Sequence, residues 1–421
     1  METEVCEKCK PLFDILLKRL QEVERRLLAY ENAHTPPSQQ KGKRHYPKQE
    51  HSSLKRGAPI GHEGTTRPQR EPTETNTLTL SSCPACQNML GTPAWVERRV
   101  IEELPEPHPL RIIEFFISHY HCITCKKEVT PTHPDLPREG RLGNNLQTQI
   151  VLARFEDRLP VRKIVHMLNR QHTTLGLTPA TILSVEGRVA EKLKPFHETI
   201  QKEVHTSART HADETGSKVE GKKWWLWLFM SKTFVLFTFR KRREAQVIEE
   251  ILGKDYQGIL TVDGLKAYPK IVKKIQRCWA HLLRESKFLA QKHEGQARIL
   301  YACLGELFEK VKNKTITYDA ALEQMKRFLG IAQAYQELRK FAVTLENGLE
   351  HWFTCLKEKD VEPTNNRAEQ TLREFVIRRK IYSTFRSEKG PQNAAILMSA
   401  LATWKLQSKN PFQMLRTTLS S

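Results

Sequence analysis

The stretch "HADETGSKVEGKKWWLWLFMSKTFVLFTFR", residues 211–240, decides the fold. An acidic pair, Asp213 and Glu214, stands just before a glycine turn and a tryptophan-rich run. The period-2 alternation and the turn residues between its parts predict three consecutive antiparallel strands: one ending near Asp213, one through the tryptophans, and one from Thr233 to Arg240. A helix is predicted from Arg242 to Leu252, closed by Gly253. After it comes "GILTVDGLKAY", a β-rich run ending on Asp263 at another glycine turn. Two aspartates therefore fall at the ends of two strands. If the first and fourth strands are neighbours, both carboxylates reach one place, where they repel strongly unless a cation lies between them. Hard oxygen ligands suit magnesium. Two such ions about 3.5–4 Å apart clamp the attacking and leaving oxygens of a phosphoryl transfer. A third carboxylate is then needed, and in "EPTNNRAEQTLREFVIRRKIYSTFRSEKG" the candidates are Glu369, Glu374 and Glu362, followed by a dense basic run.

Working outward, the chain has 421 residues and 68 lysines and arginines against 48 aspartates and glutamates, a formal net charge of +20. That length predicts several domains, and that charge favours a polyanionic partner, nucleic acid before membrane. No apolar run reaches the length of a membrane span, and the charged start "METEVCEKCK" has no signal-like pattern, so a cytoplasmic protein is expected. Six of the nine cysteines lie in three Cys-x-x-Cys pairs, a spacing suited to metal rather than to disulfides. Cys83 with Cys86, and Cys122 with Cys125, are expected to share one structural zinc, with strands such as "LRIIEFFISHYHC" between them; Cys6 and Cys9 have no matching pair. Phe13, Leu16, Leu20, Val23, Leu27 and Tyr30 form a short zipper-like seam within residues 1–35. A polar, basic linker follows over residues 36–78, the zinc module over 79–135, and a helical region over 136–204. There "LPVRKIVHMLNRQ" and "GLTPATILSVEGRVAEKL" read as a helix-turn-helix pair, Thr178 capping the second helix ahead of Pro179. Of the tryptophans Trp224, Trp225 and Trp227, those on at least one strand face are expected in the core. Cys278 and His281 in "CWAH" have the spacing of half a metal knuckle, but with no second half nearby in sequence a structural role is expected.

The order "HADET", "VDGLKAY", "CWAHLLRESKF" and "NNRAEQTLREFVIRRKIYSTFRSEKG" resembles the Insertion Sequence Sixty-Six family of bacterial and archaeal transposases. The resemblance runs over nearly the whole chain, zipper segment, four-cysteine module and helical region included. It implies an α/β multi-domain protein: a ribonuclease-H-like catalytic core over residues 205–277 and 361–421, interrupted by a helical insertion at 278–360. It also implies a catalytic acidic triad, which carries over to Asp213, Asp263 and Glu369. These would hold two Mg²⁺ (or Mn²⁺) ions, Asp213 shared between them. Arg373, Arg378, Arg379, Lys380 and Arg386 are expected to contact DNA. The chain departs from the family pattern at Gln370, at Arg373 with Glu374, and at Arg378, leaving the triad intact.

The activity so implied is DNA 3′-end cleavage and strand transfer at terminal inverted repeats, by a homo-oligomer, with or without accessory proteins of the same element. A serine or tyrosine recombinase is disfavoured because no basic cluster surrounds one hydroxyl nucleophile. A zinc-containing DNA-binding regulator, an inactivated copy, or a nuclease that stops at hydrolysis are the competing classes.

Overall fold

The structure, a computed structural model, describes residues 71–101, 109–137, 139–382 and 384–420. The zipper segment, Cys6 and Cys9, and most of the basic linker lie outside the described residues. The chain divides into two compact units, with described residues 71–101 and 109 in one and those from 110 onward in the other.

In the first unit the Cys83–Cys86 pair forms a tight turn. Gln87 donates its N–H to the Cys83 carbonyl at 2.7 Å, and Cys83 donates its N–H to the Asn88 carbonyl at 2.8 Å. In the second unit the Cys122–Cys125 pair repeats that pattern residue for residue: Lys126 N–H to Cys122 O at 2.8 Å, and Cys122 N–H to Lys127 O at 2.9 Å. Short strands β1 (Tyr120–His121) and β2 (Glu128–Val129) flank this second turn. The strand expected from Leu110 is thus confined to two residues. No partner strand among the described residues pairs with 110–119, and Ile112 and Phe116 stand 90% and 91% exposed.

The larger unit is built on a five-stranded mixed sheet of β3 (Arg209–Val219), β4 (Lys222–Met230), β5 (Val235–Arg240), β6 (Ile259–Val262) and β7 (Lys274–Arg277). Its spatial order is β5-β4-β3-β6-β7. The first three strands form an antiparallel meander, and β6 and β7 join it parallel to β3. This arrangement is consistent with a ribonuclease-H-like core. β4 is apolar on both faces, as a strand covered on both sides must be. Trp224, Leu226, Leu228 and Met230 enter one core, while Trp227 and Phe229 enter another. Trp225 lies over neither core fully and is flanked by cations, with Lys223 4.7 Å and Arg243 4.9 Å from its ring centre.

Three helices precede the sheet: α1 (Asn144–Phe155), α2 (Val161–Gln171) and α3 (Pro179–Thr206). As expected, the Thr178 side chain accepts the Thr181 N–H at the start of α3, with Pro179 in the first turn. α4 (Ala245–Leu252) ends at Gly253, whose positive φ of 83° suits glycine, and covers the Trp227 face of the sheet. The opposite face is covered by α3, α10 (Asn366–Tyr382) and α11 (Lys389–Leu406), with α12 (Pro411–Ser420) behind.

Between β7 and α10 the chain forms α5 (Trp279–Lys292), α6 (Gln296–Lys312), α7 (Tyr318–Ala334), α8 (Arg339–Asn347) and α9 (Thr354–Lys357). Their shared core is separate and built on Trp279, Trp352 and Phe353. The change from strand to helices falls at Cys278, between β7 and α5. Among the described residues no helix is long and apolar enough to cross a membrane.

One boundary differs from the sequence reading. Asp213 lies inside β3 rather than at its end, because the hairpin with β4 continues the strand through Val219. What ends near Asp213 is the parallel pairing with β6, given by Arg209 with Ile259, Thr210 with Leu260 and His211 with Thr261.

Candidate active site

Continuing the β3–β6 register two residues beyond His211 and Thr261 brings Asp213 opposite Asp263. Asp263 has just left β6, and its Oδ1 accepts the Leu265 N–H at 3.0 Å, which fixes the turn. Gly264 is needed there: a Cβ would stand 2.7 Å from Nη2 of Arg277. That guanidinium is pinned by the Thr344 carbonyl at 3.2 Å and by the Trp352 ring at 4.5 Å.

Strand parity separates the acidic pair. Asp213 is opposite Leu228 and so shares the face on which α10 packs, whereas Glu214 is opposite Trp227 on the α4 face. Glu214 is buried and committed there. It accepts the Tyr268 hydroxyl at 2.6 Å and the Arg243 Nε–H at 2.8 Å, and it also pairs with Arg243 Nη2. Burial nonetheless raises the Glu214 pKa, with the Asp263 charge adding to it.

The third acid comes from α10. His211, on the same face of β3 as Asp213, has its Nδ1 3.0 Å from Oδ1 of the buried Asn365, while Asn365 Nδ2 donates to the Ala212 carbonyl at 2.8 Å. With the amide so oriented, Nδ1–H of His211 is the donor. Asn365 also donates its backbone N–H to Cys278 Sγ at 3.1 Å and accepts the Glu369 N–H at 3.1 Å. The first turn of α10 is thereby tied to the sheet two residues from Asp213. Glu369 stands in that turn, with Oε1 3.3 Å from His281 Nδ1 and Oε2 3.7 Å from Arg284. Its rivals are engaged elsewhere: Glu374 pairs with Arg158 at 2.8 Å and Glu362 with Arg367 at 3.4 Å.

Asp213 feels the charges of Asp263 and Glu369, while the donor group whose atoms converge within 4.8 Å among the described residues is Cys278, His281 and Glu369. Burial drives the Asp213 pKa well above the usual carboxylate range, and the charges of Glu214, Asp263 and Glu369 push the same way. The Glu214 N–H, 2.8 Å from Oδ1, acts in the opposite direction. A carboxylate crowded by three others, and held by one backbone donor, is a fit for a hard divalent cation.

A model described as "Transposase IS66 family" matches residues 139–393, more than half of the chain and including all three acids. The chain belongs to this family. Proteins of Sinorhizobium fredii are similar to it. Uncharacterized protein y4qI is 24% identical over 340 residues, covering 69% of this chain and 61% of that relative. Uncharacterized proteins y4hP and y4jD are each 22% identical, covering 67% and 69% of their own lengths. The chain thus spans about three-fifths to two-thirds of these relatives.

Within the family match the basic residues of α10 and of the segment after it divide by exposure. Arg373, Lys380 and Arg386 are exposed. Arg379 turns inward to the Gly216 carbonyl and to Thr215 Oγ1. Arg378 departs from its expected role at DNA: it is buried, donates to the Phe155 carbonyl and lies 4.7 Å from the Phe155 ring centre. Desolvation there lowers its pKa to about 10. Its position in the run is one helical turn from Phe375, on the apolar face, so the sequence period already put it inside.

His211, Asn365, Arg284, Arg243 and Tyr268 were not singled out from sequence. Asn365 carried the nearest signal, an asparagine just before a helix, which ordinarily reads as an N-cap. Here its side chain instead bridges to a strand some 150 residues earlier.

The backbone N–H of Cys86 lowers the Cys83 pKa, and that of Cys125 lowers the Cys122 pKa. The two pairs fall in separate units.

Proposed function

We propose that this protein is a DNA transposase that binds the terminal inverted repeats of its element and catalyses 3′-end cleavage and strand transfer at Asp213, Asp263 and Glu369. The observation that carries the proposal is the β3–β6 register that sets Asp213 beside Asp263, with the first turn of α10, which bears Glu369, tied to β3 through Asn365. Magnesium ions, or manganese in their place, held by these three carboxylates would neutralise the scissile phosphate and acidify the attacking water.

The residues themselves do three things. β3 and β6 fix Asp213 against Asp263 on a rigid platform, and Glu214 is drawn to the opposite face so that it does not compete for the same ligand. Asn365 and His211 tie the first turn of α10, which carries Glu369, to β3. Arg373, Lys380 and Arg386 offer exposed positive charge to phosphates. In the first step water breaks the phosphodiester at the element's end and releases a 3′-hydroxyl. In the second that hydroxyl attacks a target phosphodiester, forming one P–O bond as another breaks, so no covalent protein intermediate is required. Synapsis of two ends calls for at least two copies, working on DNA in the cytoplasm. The cysteine pairs would hold structural zinc.

The test is incubation of the full chain with DNA carrying the element's ends, a target plasmid and Mg²⁺, beside Asp213→Asn. Metal-dependent nicking and joining that disappear in the variant support the proposal. Cleavage without joining indicates a nuclease, and binding without cleavage by either protein indicates a DNA-binding protein; both outcomes overturn it.

A further inference from the structure

Glu369 has a second set of neighbours that the triad does not use. α5 begins at Cys278, its first turn carries His281, and both meet the first turn of α10. Sγ of Cys278, a ring nitrogen of His281 and a carboxylate oxygen of Glu369 all lie within 4.8 Å of one another. Oε1 of Glu369 is 4.0 Å from Sγ and 3.3 Å from Nδ1 of His281. Zn–N and Zn–O bonds of about 2.0 Å and a Zn–S bond of about 2.3 Å give tetrahedral edges on the order of 3.3–3.6 Å, so small side-chain movements would close this set on one ion.

The chemistry of the donors agrees. A thiol sulfur, an imidazole nitrogen and a carboxylate oxygen are together a zinc-type donor set. The Asn365 N–H points at Cys278 Sγ at 3.1 Å, the bond that commonly supports a metal thiolate. One thiolate, one carboxylate and a neutral imidazole sum to a charge that balances a divalent cation. Arg284 takes the other carboxylate oxygen, Oε2, at 3.7 Å and leaves Oε1 to the site.

We infer that Cys278, His281 and Glu369 form a soft-metal site, selective for zinc over magnesium, that withdraws the triad glutamate when filled. Binding replaces the Cys278 proton by the ion and releases that proton to solvent. The metal site itself stands on this geometry alone; its effect on activity rests on the proposed role of Glu369. With Oε1 on zinc and Oε2 facing Arg284, Glu369 has no oxygen left for an ion at the triad, so the site is inhibitory.

The test is titration of the full chain with Co²⁺, following the sulfur-to-cobalt charge-transfer and d–d bands, for wild type, Cys278→Ser and His281→Gln. The expected result is one fewer ion bound by each variant, loss of a one-thiolate spectral component, and displacement of that component in wild type by excess Mg²⁺. Folding of each variant is checked by circular dichroism, and His281→Gln decides if the serine variant does not fold. Equal stoichiometry and identical spectra in all three proteins overturn the inference, whether or not the chain cleaves DNA. A lost ion that Mg²⁺ does not displace overturns the inhibitory role.

Discussion

Asn365 holds His211: Oδ1 of the asparagine lies 3.0 Å from Nδ1 of the histidine, joining the start of α10 to β3 two residues from Asp213. Both side chains are buried, so the bond is made in dry surroundings and its loss leaves polar groups without water. Asn365→Ala is expected to cost about 1–3 kcal/mol for each buried group left unpaired. It is also expected to lower strand transfer by at least about tenfold through displacement of Glu369, since misplacement by about 1 Å costs on the order of 10²-fold. Urea denaturation and single-turnover joining measure the two effects, and full activity in a destabilised protein would place the bond outside the site's geometry.

Asp213 makes the metal-free protein less stable than it need be. Its folded pKa is raised by burial first and by Glu214, Asp263 and Glu369 next, so the native state holds its proton more tightly than the unfolded chain. Its stabilising contribution is therefore fully present below the unfolded pKa of about 3.9 and is lost as pH rises through the folded value. In chelator at neutral pH, Asp213→Asn is expected to melt higher than wild type, by about 2–4 °C for each kcal/mol relieved. Mg²⁺ should reverse the order. Calorimetry with and without Mg²⁺ checks both, and an Asp213→Asn protein that melts lower in chelator would contradict the crowding.

Glu214 is held by Tyr268, whose hydroxyl lies 2.6 Å from Oε2 within the α4-side core. Tyr268→Phe removes a charge-assisted bond and is expected to destabilise by about 1.5–3 kcal/mol. Because Glu214 faces away from the triad, joining activity per folded molecule should change by less than about threefold. Chemical denaturation beside initial-rate joining distinguishes the two effects. A much larger fall in rate would put Glu214 in the reaction.

The basic residues of α10 and the segment after it should separate in a salt titration. Arg373→Ala, Lys380→Ala and Arg386→Ala are each expected to weaken DNA binding and to reduce the slope of log K against log salt by about 1. Arg378→Met should leave the slope unchanged and alter stability, because the guanidinium is buried against Phe155. Fluorescence anisotropy at several salt concentrations measures the slopes.

Much of this architecture was legible from strand alternation. The tryptophan strand and the meander follow from the period-2 pattern that the core then uses, whereas the pairing of the first and fourth strands was only a condition and the helical insertion came from the family resemblance. Strand parity puts the adjacent Asp213 and Glu214 on opposite faces of β3. The extent of β3 was misread because a glycine turn signal at Gly216 suggested an end that the hairpin overrides; the turn is at Glu220 and Gly221, both with positive φ. The strand expected from Leu110 failed for a different reason, since β propensity becomes a strand only with a partner. Joints such as Asn365 with His211, or Glu369 with His281, link residues 88 or more positions apart, and no local period encodes them.

The central claim is tested most directly by single-turnover joining of end-bearing DNA in Mg²⁺ with Asp213→Asn, Asp263→Asn and Glu369→Gln beside Glu362→Gln and Glu374→Gln. Removal of a metal-holding carboxylate forfeits several kcal/mol of transition-state stabilisation, on the order of 10³-fold in rate. The first three variants are expected to lose at least that much while still binding the ends, and the last two to stay within about tenfold of wild type. Joining by Glu369→Gln at the wild-type rate, or its loss in Glu362→Gln or Glu374→Gln alone, would contradict the account.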